Sequence, residues 1–409
     1  MKGLSDEELN RLTSIYGDSF YILDSDVFKR NCEALLSAFR KYYEKTNIAY
    51  SYKTNYIPRL GRIVNSIGGF AEVVSEMELE VASRIGVSSD MIVWNGPVKP
   101  KKAVETFLLS GGIVNIDNYE EVLTVRQIAR QHKDKQISVG LRCNYDIGDG
   151  VLSRFGIDVN SREFKEILET IASEDNLYLK YLQAHFSKRH YKYWKAKAEG
   201  LLSVYETVSL EYGMTPEYLD LGGGISGNMP SLLREQLGLD DFAFDDYSSR
   251  AAAAFSQAFR NKLEKPWLII EPGTAVAADC MRYVCRVESI KNVRGKTIIT
   301  TNGSQKNISM GGLNPPIEII PAGSKRSHYT NADIAGYTCI EADYLYKDFS
   351  GEIGVGDYLV ISSCGSYSVV MKPPFIFPNV PVIDLNGETV AEIKRAETFD
   401  DLFGTYDFG

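Results

Sequence analysis

Cysteine and histidine are scarce in this chain. Its 409 residues include six cysteines and four histidines, and no two cysteines have the CxxC spacing of a zinc ribbon or a redox pair. The cysteines are scattered, at positions 32, 143, 280, 285, 339 and 364. The sequence shows no cluster of histidine, cysteine and carboxylate residues, so we expect no metal site. Unpaired thiols are typical of a reducing compartment, and we therefore expect a cytoplasmic protein.

Long apolar runs and net positive charge are also missing. No apolar run approaches the roughly 20 residues that a membrane-spanning helix requires. The segment MKGLSDEELNRL at the start is polar and acidic, unlike the apolar core of a signal peptide. The formal net charge is −9, so the overall field repels nucleic acid. We expect neither a membrane nor a nucleic acid as partner, and no basic patch that would bind one.

The sequence does contain a regular alternation of short apolar runs and amphipathic stretches. The amphipathic stretches, such as SEMELEVASRIG, place apolar residues at helical spacing. The short apolar runs are at 47–52, 69–74, 91–95, 112–117, 137–142, 179–185, 217–222 and 267–273. Eight such alternations predict a mixed α/β fold with a (β/α)8 barrel, and a doubly wound open sheet is the alternative.

The pattern changes after residue 275. The segments MRYVCRVESIKNVRGKTIITTNG and GDYLVISSCGSYSVV alternate in period two, which predicts antiparallel strands. Near the start, DSFYILDSDVFKRN predicts a strand and a capped helix, and this strand could pair with the C-terminal strands. We therefore predict a barrel over residues 25–273 and a β-domain built from residues 1–24 and 274–409.

Chemically useful residues stand at the ends of the predicted barrel strands. Catalytic residues of such barrels lie at the carboxyl ends of the strands. In chain order these ends carry Lys53, Glu72, Asn95, Asp117, Arg142, His185, Gly222 to Gly224 and Glu271. Any one of them alone has an ordinary structural interpretation: a surface lysine, a core histidine, a glycine turn. Their common position at successive strand ends favours a functional one.

This set of residues has a chemical logic. In LDLGGGISG the three glycines stand between a predicted strand and a predicted helix start, where backbone N–H groups can surround a phosphate. A lysine can form a Schiff base, and a histidine can lie on a ring face. A carboxylate such as Glu271 can pair with a pyridine nitrogen. Together these groups suit pyridoxal phosphate.

Seven motifs resemble those of one family and occur in its order. They are YSYKTN, EVVSEMEL, SRFGID, LDLGGGISG, EPGT, CIEAD and GSYS, and they extend over most of the chain. The sequence is similar to the ornithine/diaminopimelate decarboxylase family. The members of this family are fold-type III, alanine-racemase-like pyridoxal-phosphate enzymes. The resemblance implies a homodimer with shared active sites and a small amino-acid substrate.

The resemblance also implies a role for individual residues. Lys53 corresponds to the Schiff-base lysine, His185 to the residue that stacks on the cofactor ring, and Glu271 to the pyridinium partner. Further implied cofactor contacts are Glu72, Arg142, Gly222, Gly223, Gly224, Gly273, Thr274 and Tyr367. The implied substrate contacts, Cys339, Glu341 and Asp343, belong to a loop that reaches the partner's site, with Cys339 as the acid and Asp343 paired to the partner's Arg154.

The sequence departs from the family pattern at four places. The HxHxGS segment reads QAHFSKRH, so the phosphate-binding serine is Ser187 or is absent, and EPGR reads EPGT. The arginine that usually holds substrate carboxylate has no match in GSQKNISMGGLNPP. Ile340 stands where the acid after the cysteine is usual, with Glu341 one place later. We expect a substrate with a larger or less cationic distal part than ornithine or diaminopimelate.

The predicted function is a pyridoxal-phosphate-dependent decarboxylase of an amino acid or an amino-acid conjugate. One alternative is a racemase or epimerase on the same fold, but alanine racemases place an arginine at the pyridine nitrogen, whereas this chain has Glu271. Another alternative is a catalytically silent regulatory homologue. The retention of Lys53, His185 and the glycine loop argues against that alternative.

Overall fold

The computed structural model describes residues 4–239, 241–323, 325–386 and 389–409. The described chain divides into two compact units. One unit holds Asn31–Ser226 and Phe242–Ala275 and is called the barrel unit below; the other holds Met1–Arg30, Gly227–Asp241 and Val276–Gly409 and is called the β unit. Within these ranges no helix is both long enough and apolar enough to cross a membrane.

The chain begins with helix α1 (Asp6–Tyr16), strand β1 (Phe20–Leu23) and helix α2 (Ser25–Arg40). Ser5 starts α1 because its side chain accepts a hydrogen bond from the backbone N–H of Glu8. All four residues of β1 are buried, as expected for a strand inside a sheet.

Nine parallel strands follow, eight of which close into a barrel. They are β2 (Thr46–Ser51), β3 (Phe70–Val73), β4 (Ile92–Trp94), β5 (Ile113–Ile116), β6 (Ile137–Asn144), β7 (Ile157–Asp158), β8 (Leu177–Gln183), β9 (Tyr218–Asp220) and β10 (Trp267–Ile270). The strand β7 pairs only with the end of β6, outside the ring. Pairing of β10 with β2 and of β5 with β6 closes the sheet. The predicted barrel is therefore confirmed, and the open sheet is excluded.

Side chains from six of the barrel strands form a buried cluster. A buried layer holds Ala49, Phe70, Val93, Ile113, Tyr181 and Ile269. Layers of this kind make the barrel a solid core, so function is left to the ends of the strands.

Helices connect the strands, and three of them begin after a residue whose side chain caps the helix. They are α3 (Pro58–Ser66), α4 (Glu76–Arg84), α5 (Lys101–Leu109), α6 (Tyr119–Gln131), α7 (Arg162–Ala172), α8 (Trp194–Tyr212), α9 (Ser231–Gln236) and α10 (Phe244–Ala258). The side chains of Ser75, Asn118 and Ser161 accept the first N–H groups of α4, α6 and α7. These caps fix where α4, α6 and α7 start after their strands.

The β unit contains the remaining elements. They are α11 (Thr274–Ala277), β11 (Met281–Val293), β12 (Lys296–Thr301), β13 (Ile317–Ile320), β14 (Arg326–Ala335), β15 (Tyr344–Gly354), β16 (Tyr358–Ile361), β17 (Val382–Asn386), β18 (Thr389–Lys394) and α12 (Phe399–Phe403), with α11 at its border. As predicted, β1 joins this sheet, antiparallel to β11. The sheet is mixed rather than purely antiparallel, because β1 runs parallel to β17 and β12 runs parallel to β14.

Gly140 is a point in the barrel where no side chain fits. A Cβ on Gly140 would lie 1.7 Å from Asn115 Oδ1 and 2.8 Å from Tyr181 Cβ, and both neighbours are buried. We expect Gly140→Ala to lower the free energy of unfolding by about 1–3 kcal/mol, measured by urea denaturation. The control Ser138→Ala, on the same strand, should change it by less than about 0.5 kcal/mol. An unchanged midpoint for Gly140→Ala would contradict this packing.

Candidate active site

Lys53 is held next to a buried carboxylate. It lies in the short 3-10 turn Tyr52–Thr54 after β2, where its ammonium contacts Glu72 and donates to Ser51 Oγ at 3.2 Å. Ser51 Oγ also donates to Glu72 Oε2 at 2.6 Å. Burial opposes the charge of Lys53, but the carboxylates of Glu72 and Glu271 outweigh it and raise the pKa of the lysine. Glu72 is therefore placed to take the proton that Lys53 must lose before it can act as a nucleophile.

Amide side chains join Glu72 to the second buried carboxylate, Glu271. Asn95 Nδ2 donates to Glu72 Oε1 at 3.0 Å and to Glu271 Oε1 at 2.6 Å. Asn115 Nδ2 donates to Asn95 Oδ1 at 2.6 Å, which fixes the orientation of Asn95. Gln183 Nε2 lies 3.3 Å from Glu271 Oε1. These donors hold Glu271 in place without neutralising it.

Glu271 and Asp220 form a carboxyl pair whose two members differ in charge. Burial favours the neutral form of Glu271, but His185 and the charge of Lys53 lower its pKa below the usual range. Burial and the neighbouring Glu271 raise the pKa of Asp220 well above the usual range. Asp220 Oδ2 accepts from Tyr181 Oη at 2.7 Å, and Oδ1 accepts from the Gly222 N–H at 2.6 Å. Glu271 is thus the ionised member and Asp220 the protonated one.

His185 is a fixed neutral ring. It lies two residues beyond β8, and its Nδ1 accepts the Gly223 N–H at 2.9 Å. Burial lowers the pKa of His185, which favours the neutral ring. A neutral ring that accepts at Nδ1 carries its proton on Nε2. The same Nδ1 lies 3.6 Å from Glu271 Oε2, so the imidazole and this carboxylate border one site.

The glycine loop offers fewer N–H donors than the sequence suggested. The Gly222 N–H is bound by Asp220, and the Gly223 N–H is bound by His185. The N–H groups of Gly224 and Ile225 have no hydrogen-bond acceptor among the described residues. Gly224 has a φ of 91°, a conformation that favours glycine and makes the end of the loop concave. An anion would therefore bind at Gly224 and Ile225, while Gly222 and Gly223 form the support.

Arg142 lies below the loop that contains SRFGID. Its guanidinium is 4.6 Å from the Phe155 ring centre, and Nη1 lies 3.7 Å from Asp117 Oδ1. Asp117 Oδ1 also accepts the Gly156 N–H at 2.9 Å, so the loop is fastened to the strand ends. The guanidinium of Arg154 also lies over the Phe155 ring, 4.0 Å from its centre.

The segment EPGT packs behind the lysine. Pro272 accepts the Ser51 N–H at 3.1 Å. A Cβ on Gly273 would lie 2.1 Å from Thr54 Oγ1, so this close approach requires a glycine next to the residue after Lys53. Thr274 is half-buried at the first position of α11.

The β unit holds the other predicted site residues. Cys339 is the one exposed thiol of the six cysteines, and Glu341 is exposed beside it. Asp343, in contrast, is 4% exposed. Its carboxylate accepts the hydroxyls of Ser304 and Thr338 at 2.9 and 2.7 Å and two backbone N–H groups. These contacts give Asp343 a role in fixing its own loop, which the family motif did not indicate.

Tyr367 adopts a strained conformation. Its φ is 65°, which is uncommon outside glycine and costs on the order of 1 kcal/mol or more. The hydroxyls of the adjacent Ser366 and Ser368 are buried and have no hydrogen-bond partner among the described residues. Such a segment is ready to donate hydrogen bonds to an oxygen-rich group.

The structure also adds residues that sequence reasoning missed. Gln183 and Asp220 contact Glu271, Asn115 contacts Asn95, and Lys197 contacts the glycine loop. Asn115 and Gln183 are polar residues inside otherwise apolar strand runs, and this signal could have identified them. No group of three or more His, Cys, Asp or Glu side chains in the described ranges could hold a metal ion.

The arrangement fits pyridoxal phosphate. It combines a lysine beside a proton acceptor, an ionised buried carboxylate, a neutral imidazole and open N–H groups on a glycine loop. A closed barrel with these groups at its strand ends defines a pyridoxal-phosphate enzyme that stabilises negative charge on carbon.

Comparison with known families makes the assignment specific. The family model described as "Pyridoxal-dependent decarboxylase, pyridoxal binding domain" matches residues 29–278. The chain therefore belongs to the pyridoxal-dependent decarboxylases, as its motifs predicted.

Individual relatives match over nearly the whole chain. The diaminopimelate decarboxylase of Aquifex aeolicus (strain VF5) is 25% identical over 412 residues, which cover 96% of this chain and 92% of that protein. The L-glutamyl-[BtrI acyl-carrier protein] decarboxylase of Niallia circulans is 24% identical over 439 residues, covering 98% and 96%. The crystal structure of diaminopimelate decarboxylase from Helicobacter pylori complexed with L-lysine has the same fold, with a TM-score of 0.82, 20% identity and coverage of 97% and 98%. The chain is a pyridoxal-phosphate-dependent carboxy-lyase of an amino acid or an amino-acid conjugate.

Replacement of Lys53 tests this site directly. We expect Lys53→Ala to abolish CO2 release and the visible absorbance that the cofactor gains on bonding to a lysine, because no other lysine contacts Glu72 in the described ranges. Absorbance spectra and CO2 assays measure both. Lys195→Ala, at an exposed lysine on α8, is the control and should retain both signals. Retention of both signals by Lys53→Ala would contradict the assignment.

Proposed function

We propose that the substrate is an amino-acid conjugate whose distal part lacks a free ammonium group. The observation that carries this proposal is the loop between β14 and β15. Asp343 accepts four hydrogen bonds, two from Thr338 of that loop and two from Ser304 and Gln305, and Ile340 at the tip of the loop is 40% exposed and apolar. Glu341 is then the single acid of CIEAD with an exposed side chain. Ile340 stands where the family pattern has the acid that holds a distal ammonium, so this position offers no charge to such a group.

A basic segment at the strand ends supports the same proposal. The segment 187–192 begins two residues after His185 and carries Lys188, Arg189 and Lys192, all exposed. None of these three cations has an ion-pair partner among the described residues. The net charge of −9 led us to expect no basic patch, and the exposed cations of this segment contradict that expectation. Exposed cations attract an anionic distal part and disfavour a cationic one.

The relatives allow a substrate of this kind. The Niallia circulans relative is named as a decarboxylase of an amino acid attached to an acyl-carrier protein. The departures from the family pattern at Ile340 and Thr274 support a similar choice here. The proposed substrate class is therefore an α-amino acid linked to a neutral or anionic carrier.

We propose that the predicted barrel, residues 25–273, is the cofactor-binding domain, and we propose residue roles that follow from its geometry. Lys53 would bind the cofactor aldehyde, with Glu72 taking its proton. Glu271 would hold a proton at the pyridine nitrogen, and His185 would lie on the ring face. Gly224 would donate its N–H to the phosphate. The bound cofactor supplies an electron sink for the pair left when the carboxylate departs as CO2.

Further proposed contacts complete the site. Arg142, Gly222, Gly223, Gly273 and Thr274 would shape the cofactor pocket, as the family motifs indicate. From the β unit, Tyr367 would donate its hydroxyl to the phosphate. Cys339 would give the thiol proton to the substrate carbon and regain it from solvent.

We propose that a homodimer shares these sites. The support is an exposed apolar surface on the β unit, formed by Ile340, Met371, Phe375, Ile376 and Phe377. Tyr337, two residues before Cys339, lies 4.7 Å from the Phe377 ring centre and donates to the Phe375 carbonyl at 3.4 Å. Exposed apolar patches of this kind mark protein interfaces. A two-fold axis would give each barrel the partner's cysteine loop.

We also propose a cytoplasmic location. All six cysteines are unpaired, and Cys339 exposes its thiol. An exposed thiol that serves as an acid requires a reducing compartment.

The substrate proposal is tested by comparing free and conjugated amino acids in CO2-release assays. Free ornithine, lysine and meso-diaminopimelate should be poor substrates, with kcat/KM below about 10⁴ M⁻¹s⁻¹, and carrier-linked amino acids should exceed them. Lys188→Glu combined with Lys192→Glu should raise KM for an anionic conjugate, because two exposed cations are reversed. Lys262→Glu, on an exposed lysine outside the segment, is the control. Efficient turnover of a free diamino acid would contradict the proposal.

The shared site is tested by complementation. Lys53→Ala and Cys339→Ala subunits, each inactive, should recover about a quarter of wild-type activity when mixed, because half of the dimers are mixed and each has one intact site. Activity after subunit exchange is the measurement. No recovery, with exchange demonstrated by differently tagged subunits, would show that the site is built within one chain.

A further inference from the structure

Lys197 occupies a buried position on α8 where an apolar residue would be usual. On α8 the buried residues are Trp194, Lys197, Ala198, Leu201, Val204 and Val208, which form one apolar stripe. Lys197 is 2% exposed. A buried ammonium is costly unless it is paired with an opposite charge. No carboxylate of the described residues lies within ion-pair distance of this lysine.

The ammonium of Lys197 has two contacts. It donates to the Gly223 carbonyl at 2.8 Å and lies 4.4 Å from the Trp194 ring centre. Burial lowers the pKa of Lys197 to about 7, although Glu271 and Asp220 raise it. A carbonyl and a ring face therefore only partly stabilise the charge. The unbound site holds this ammonium weakly, and a further negative charge nearby would stabilise it.

The contact with Gly223 determines where the next N–H points. The described chain contains no cis peptide bond, so the C=O of Gly223 and the N–H of Gly224 point in opposite directions. Lys197 holds that carbonyl on one side of the loop. The Gly224 N–H, which has no acceptor among the described residues, is thereby turned to the other side.

We propose that Lys197 is a positioning residue for the cofactor phosphate. It fixes the Gly223–Gly224 peptide so that the Gly224 N–H donates to the phosphate, and its buried charge stabilises the phosphate dianion through the loop. This inference rests on the proposed binding of the phosphate at Gly224. The negative charge of the phosphate supplies what the buried ammonium lacks, so the cost of burying Lys197 is offset when the cofactor is bound.

The test compares pyridoxal phosphate with pyridoxal, which has the same aldehyde and ring but no phosphate. Cofactor-free protein is titrated with each compound, and the visible absorbance of the lysine-bound form gives the two dissociation constants. Lys197→Met should raise the Kd of pyridoxal phosphate about tenfold or more and that of pyridoxal by less than about twofold. Lys197→Arg, which keeps the charge, should lie between Lys197→Met and the wild type.

The matched control is Lys195→Met. It makes the same substitution on the same helix at a lysine whose side chain is 68% exposed, and both dissociation constants should stay at their wild-type values. Thermal unfolding of the cofactor-free proteins gives a second readout. Lys197→Met should be as stable as the wild type or more stable, because a methionine suits the apolar stripe better than an unpaired ammonium.

Each outcome supports or overturns one specific statement. A wild-type protein that binds both compounds equally would overturn the phosphate site itself. A wild type that prefers pyridoxal phosphate, with Lys197→Met leaving the ratio of the two constants unchanged, would overturn the role of Lys197 alone. A destabilised Lys197→Met protein with an unchanged ratio would make this lysine a structural residue.

Discussion

The pairing of β10 with β2 brings together two parts of the chain that are more than 200 residues apart in sequence. Ile270 of β10 pairs with Ile48 of β2. Glu271, the first residue after β10, therefore lies at the same end of the barrel as Lys53, which follows β2. Three further strands then contribute Glu72, Asn95 and Gln183 to the same buried network. The electrostatics of the site therefore depend on barrel closure, since Glu72 and Glu271 raise the pKa of Lys53 against the effect of burial, and His185 and Lys53 lower the pKa of Glu271.

Separation of charge within the carboxyl pair is the chemical result of this closure. Two buried carboxylates that lie together cannot both ionise cheaply. Here the protonated Asp220 is bound by Tyr181 and Gly222, while Glu271 receives amide donors and the positive potential of Lys53. An ionised acid is what a pyridinium requires, and this favours the decarboxylase over a racemase that works with an arginine at that position.

Much of the fold could be predicted from the sequence because the barrel strands are short and buried on both faces. Each of the eight predicted runs overlaps a strand, and Lys53, His185 and Glu271 follow strands as predicted. The hydrogen-bond partners of individual backbone groups could not be predicted in this way. LDLGGGISG showed three glycines, but nothing in the letters indicated that two of their N–H groups bind Asp220 and His185. Lys197 resembled any lysine on an amphipathic helix, since its burial depends on how α8 packs on the barrel. Asp343 belonged to a recognised motif, but the sequence did not indicate the hydroxyl groups that its carboxylate accepts. One belongs to Ser304, which is distant in sequence, and the other to Thr338, which is not part of the motif.

The way Asp343 fastens its loop has an evolutionary consequence. Four hydrogen bonds to Asp343 hold the backbone of the loop, and none of them uses the side chains of Cys339, Ile340 or Glu341. Those three positions can therefore be exchanged by mutation at little cost to the folded state. Under the proposed substrate role of the tip, stability and substrate choice depend on different residues of one short segment, so substitutions at the tip can change the substrate while Asp343 keeps the loop in place.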